Sequence, residues 1–168
     1  MAISQINTNS IGTITGINFA DTESSSSDDN TLDDYEQGTY TPTITCSSSG
    51  TIAVRSDYNV LTYTKIGRAV FITGYIISGT VSSPVGYIKI SLPFATPDLG
   101  DSGGGGSIHC HITSTAAANV ADAHFGTLEE GVAEFRMFLG DGVNPQSDLA
   151  EEFSGNETLF IGGVYITA

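Results

Sequence analysis

Tryptophan is absent from this 168-residue chain, and cysteine nearly so, with Cys46 and Cys110 alone. Two thiols cannot build a disulfide scaffold, so stability must come from a packed core, for which this length is ample. Both cysteines are expected to be free. Cys110 stands between His109 and His111 in an alternating segment and is expected on the opposite face from both, as a small buried hydrophobe. Basic residues are also scarce, 5 Lys and Arg against 19 Asp and Glu, a formal charge of −14. Neutralising phosphates takes clustered cations, so neither DNA nor RNA is an expected partner. The acidity reads as solubility and mutual repulsion between molecules. No apolar stretch approaches the roughly 20 residues that span a bilayer, so no membrane role is expected. Residues 1–7 carry no basic segment followed by an apolar run, so no secretory signal is expected and synthesis is assigned to the cytoplasm.

What is present is Ser, Thr, Gly and Asn, with charged residues at only 14%. This is the composition of a β-rich, helix-poor chain. In the first twenty residues Ile3, Ile6, Ile11, Ile14, Ile17 and Phe19 are scattered among polar residues at no helical or strand period. Such a segment builds no core alone and reads as an anchoring arm, 1–20, whose apolar side chains need another surface. Residues 21–34, with four consecutive serines and six acidic side chains, form a linker. The remainder, 35–168, reads as one β domain, with strands expected near 39–46, 51–55, 60–66, 69–78, 86–93, 107–113, 132–139 and 158–167. Gly67-Arg68 is a tight hairpin turn between two of them. Val70, Ile72 and Gly74 share one face of the following strand and Phe71, Thr73 and Tyr75 the other, so that strand is expected to be central or at a subunit contact. Asp101 to Gly106 reads as a loop, and 115–121 as a short helical turn.

The segment Leu32-Asp33-Asp34-Tyr35-Glu36-Gln37-Gly38-Thr39-Tyr40-Thr41-Pro42 opens the domain, and Pro42 assigns its strand to a sheet edge or a strand start. This string resembles the opening of a β-rich domain found in tail-fibre-like and other surface proteins of tailed bacteriophages. Tyr63-Thr64-Lys65-Ile66-Gly67-Arg68-Ala69-Val70 resembles that family's strand-turn-strand, Ile90-Ser91-Leu92-Pro93-Phe94 its Leu-Pro-Phe strand end, and Gly163-Val164-Tyr165-Ile166-Thr167-Ala168 its closing strand. The resemblance covers about residues 32–168 and implies a structural or attachment module rather than an enzyme with a fixed site.

Candidate chemistry is sparse. His109 and His111, two apart on one strand, project to one face and make half a metal site; three copies around an axis would supply six imidazoles. Similar rings occur in trimeric phage fibre tips, yet the neighbouring residues read as ordinary strand, and no metal site is assigned. Asp141, Asn144 and Asp148 offer oxygen ligands without the spacing of an EF-hand and read as a solvated turn. Glu129-Glu130 and Glu151-Glu152 are adjacent pairs that diverge in a strand, so no acid and base pair for glycoside cleavage is placed. No Gly-x-Ser-x-Gly elbow occurs, and His124 reads as a loop or core residue rather than a general base. The glycine run lacks the ending of a phosphate loop. Tyr58, Tyr63, Tyr75 and Tyr87 are the platforms on which a sugar face could stack.

These readings lead to an all-β, antiparallel β-sandwich knob of jelly-roll type, homotrimeric, with an extended N-terminal arm. The expected role is that of a non-enzymatic virion protein on the particle surface, without cofactor, bound to the major capsid protein or other virion proteins. Only about thirty residues precede the domain, which is short for a fibre shaft and favours capsid decoration or a head fibre. The alternative is a tail-fibre or receptor-binding tip that recognises a host surface glycan or protein.

Overall fold

Period-two alternation carries through to the backbone. The computed structural model describes residues 35–100, 106–113, 124–137, 139–140, 145–146 and 149–168. The arm, the linker, most of the 101–106 loop, the 115–121 turn, and Asp141, Asn144 and Asp148 lie outside the described residues. The elements are β1 (Tyr35–Tyr40), β2 (Ile44–Cys46), β3 (Ser49–Val54), β4 (Leu61–Ile66), β5 (Ala69–Val85), β6 (Ile88–Ser91), β7 (Ser107–Thr113), β8 (His124–Leu128), β9 (Glu134–Met137), β10 (Leu139–Gly140), β11 (Pro145–Gln146), a 3-10 turn (Leu149–Glu152) and β12 (Thr158–Ile166).

Ten strands join one antiparallel ladder in the order β1-β4-β5-β12-β7-β8-β9-β6-β2, with β3 added to β5, while β10 and β11 pair separately. β5 is 17 residues long. Its first half lies between β4 and β12 and its second half carries β3. Because β3 follows β2 after two residues, the far end of the ladder returns to β5, and Ser48 N–H reaches the Val85 carbonyl at 3.2 Å. The two faces expected of a sandwich are thus one sheet curled on itself around a common core. The single strand expected over 39–46 is instead broken at Pro42 into β1 and β2, which are the path's two edges.

Two further expectations are corrected. The break expected between 78 and 86 is absent, because Ser82, Ser83 and Pro84 continue β5 through an irregular pairing with β3, and Ser83 takes a φ of 40°. Such a bulge bends a strand without ending it. No strand was expected over 124–128, yet His124 opens β8 there, its backbone opposite Cys110.

Inward residues are mostly branched aliphatics: Ile44, Leu61, Val70, Ile72, Ile76, Ile88, Ile90, Ile108, Ile112, Leu159 and Ile161 are buried with Phe135 and Met137. Phe135 occupies the space a side chain would need at Gly126, where a Cβ would lie 2.2 Å from its ring. Gly67 turns the β4–β5 hairpin with a φ of 55°, the left-handed conformation expected there. Cys110 is fully buried, and burial pushes its thiol up to about 12. Both cysteines are free. A thiol-alkylating reagent at neutral pH is therefore expected to spare Cys110 in the folded protein and modify it after denaturation, read by intact mass. Modification in the native state would contradict this packing.

One buried charge organises the entry to β12. Glu157 is 2% exposed, and its carboxylate accepts hydrogen bonds from Ser78 Oγ, from Ser154 N–H at 2.8 Å and Oγ at 2.9 Å, and from Gly155 N–H at 3.0 Å. Its own N–H donates to Ser78 Oγ at 2.9 Å, so the middle of β5 is tied to the turn before β12. Burial raises the carboxyl pKa, but the bonds from Ser78 and Ser154 outweigh it and hold Glu157 below its ordinary value.

Candidate functional site

The four motifs that carry the family resemblance meet in space. Phe94, from the Leu-Pro-Phe segment, packs edge-on against Tyr63 with ring centroids 5.2 Å apart, and the Lys65 ammonium lies 5.5 Å from the Phe94 ring centre. Tyr165 of β12 donates its hydroxyl to the Phe94 carbonyl at 3.0 Å and accepts the Phe94 N–H at 3.2 Å. Tyr40 meets Tyr63 edge-on at 6.4 Å. Burial pushes the Tyr165 phenol up to about 12 and raises that of Tyr40 as well. Both phenols stay protonated, and the cluster braces β1, β4 and β12 against the segment after β6. These motif residues are structural.

The remaining candidates are dispersed. Glu129 pairs with Arg136, Glu130 accepts the Gly100 N–H at 2.6 Å, and Glu151 accepts the Gly86 N–H at 3.1 Å from the 3-10 turn. Glu129 and Glu130 are thus split between separate structural tasks, and Glu151 is engaged at the Gly86 backbone. Tyr87 lies beneath the Arg136 guanidinium, 5.3 Å from its ring centre, and Tyr63 belongs to the Phe94 cluster. His109 and His111 share the exposed face of β7 with Cys110 turned inward, as the alternation requires. Among the described residues no group of three His, Cys, Asp or Glu side chains is placed to hold a metal.

What the structure assembles instead is a broad outer face across β1, β4, β5, β12 and β7. Partners directly opposite in antiparallel strands share a face, so the registers define rows across it. One row runs Tyr35, Ile66, Ala69, Ile166; the next runs Gln37, Thr64, Phe71, Val164. The third runs Thr39, Thr62, Thr73, Gly162, His109, and the fourth Tyr75, Phe160, His111. In the fourth row the rings touch in series: Tyr58 lies 5.9 Å from Tyr75, Tyr75 lies 5.7 Å from Phe160, and His111 stacks on Phe160 at 6.2 Å. Arg55 covers Tyr58 at the rim, 5.2 Å from its ring centre, held by Asp57 at 2.7 and 3.0 Å and by Asn156 at 3.3 Å. Two tyrosines singled out from the sequence, Tyr58 and Tyr75, therefore stand together, joined by Phe160 and His111, which the sequence left unconnected.

This face is uncharged and open, with large apolar side chains half-exposed among threonines. Phe71 is 48% exposed, Val164 49%, Phe160 45% and Tyr75 43%. A groove of about 430 Å³ crosses it, lined in part by Thr62, Thr64, Phe71, Thr73 and Val164. Fully burying one such side chain is worth about 1.5–3 kcal/mol, so these four half-exposed residues leave several kcal/mol for association, before ordering costs. None of the row positions carries Asp, Glu, Lys or Arg, in a chain whose formal charge is −14.

No protein-family model matches the chain, and no curated protein matches it. Among solved structures, its fold is similar to part of the crystal structure of the Dettilon tailspike protein, with a TM-score of 0.59 at 15% sequence identity. The likeness covers 79% of this chain and 24% of that one, so the chain spans about a quarter of the tailspike's length. At this identity the likeness is one of fold.

Proposed function

We propose that this chain is a structural module of a tailed-phage virion protein of the tail-attachment kind, homotrimeric and acting without catalysis. The observation that carries the reading is the fold likeness to a segment of a tailspike. The family motifs support it, since they converge on Phe94 as a shared architecture would require. The likeness favours the tail over the capsid-decoration or head-fibre position. On this reading the arm bearing Ile3, Ile6, Ile11, Ile14, Ile17 and Phe19 joins the module to its neighbours in the particle, and a host surface glycan or protein is the partner of the assembled tip.

Immunogold labelling of intact particles with an antibody to this chain tests the reading. Gold at the tail is the expected result, and gold confined to the head would return the protein to the decoration class. Soluble sugar released from host polysaccharide by the purified protein would overturn the non-enzymatic assignment.

A further inference from the structure

We propose that the outer face of β4, β5, β12 and β7 is the surface through which copies of this chain pack on one another. The inference rests on the homotrimeric reading above and names the face that makes it.

Charge identifies the occupant. Two copies of a chain with formal charge −14 repel at nearly every orientation, and close approach is cheapest where carboxylates are missing. Across these strands the outward positions carry none, while Asp57 with Arg55 stands at the rim beside Tyr58. An uncharged face carrying half-exposed Phe71, Val164, Tyr75 and Phe160 inside a charged rim has the anatomy of a protein–protein interface. A strongly basic partner would be drawn to the acidic surface elsewhere rather than to this face. With strands about 4.8 Å apart and same-face residues about 6.8 Å apart, the rows span on the order of 500 Å² before side-chain relief is added. That approaches the ~800 Å² per partner of a stable complex.

Gly162 supplies an independent observation. It sits mid-strand in β12, where glycine weakens a sheet, yet its own protomer does not need it: an added Cβ would meet nothing nearer than the Ile72 carbonyl oxygen at 3.9 Å. Its φ lies outside the left-handed region. The bare position lies between the Phe71–Val164 row and the Tyr75–Phe160 row, where it lets another backbone or side chain come close.

Sedimentation of the full chain tests the proposal. The wild type is expected to be a discrete trimer that strengthens as salt rises, because screening removes the repulsion between like-charged copies. Phe71→Asp and Val164→Asp, both outward, are expected to keep the native circular dichroism and to weaken association roughly tenfold or more. Gly162→Thr guards against a folding defect: its Cβ would meet nothing nearer than 3.9 Å in its own protomer, so it should keep the native circular dichroism and still weaken association. A monomeric wild type would overturn the homotrimer and the face together. A trimer that all three variants leave intact would overturn the face alone. Folded variants that keep the wild-type mass but lose binding to host cells would assign the face to a receptor and overturn the proposal.

Discussion

Replacing Glu157 by alanine should lower the unfolding free energy by about 3 kcal/mol, because Ser78 Oγ and the amides of Ser154 and Gly155 lose their common acceptor in a nearly dry site. Denaturant titration at neutral pH measures it. A loss below about 0.5 kcal/mol would mean that water replaces the carboxylate without cost. The same group makes stability depend on pH. Its folded pKa lies below the unfolded value of about 4.3, so its contribution is complete above that value and disappears as pH falls through the lower folded pKa. Glu157→Gln cannot titrate, and the difference between wild type and this variant should shrink across that acid window alone. A difference that stayed constant down to the acid transition would exclude Glu157 as its source.

Phe135→Ala is expected to cost about 3–5 kcal/mol, the range for emptying an aromatic site in a core. The ring is fully buried and lies over the bare backbone of Gly126, so its removal leaves a void at that position. The converse change gives a sharper test. Gly126→Ala alone drives a methyl into the ring and should destabilise by about 1–3 kcal/mol. Combined with Phe135→Leu it should cost less than the sum of Gly126→Ala and Phe135→Leu measured singly, since a shorter side chain makes room for the methyl. Strict additivity in that cycle would show that the two positions do not share their space.

Strand positions were legible in the sequence wherever alternation was clean. The segment 107–113 was expected as a strand and is β7 residue for residue, and the expected 158–167 is β12 to within one residue. Alternation also placed Cys110 inside with both histidines outside, because direction follows from period two alone. It failed at 79–85, where Gly79, Ser83 and Pro84 signal a turn, because a strand partner distant in sequence outweighed local preference. The irregular register that permits this has no signature in the residues themselves. The aromatic row was half legible. Tyr58 and Tyr75 could be named as exposed rings, but their union with Phe160 and His111 depends on which strands are neighbours, and strand order is set by the closure of the whole sheet. The absence of charge from one face was equally hidden, since its positions are gathered from five strands spread over most of the domain.

The position of β12 between β5 and β7 has a consequence for biosynthesis. A nascent chain that has left the ribosome as far as Gly140 has made both flanking strands but not the one that joins them. Until Thr158–Ile166 emerges, β5 and β7 each present an unsatisfied edge along the residues that will bind it. Non-local pairing of this kind is slow and prone to association with the wrong chain, so translation of the last strand sets the earliest moment at which this domain can fold, and chaperone protection is needed most just before it.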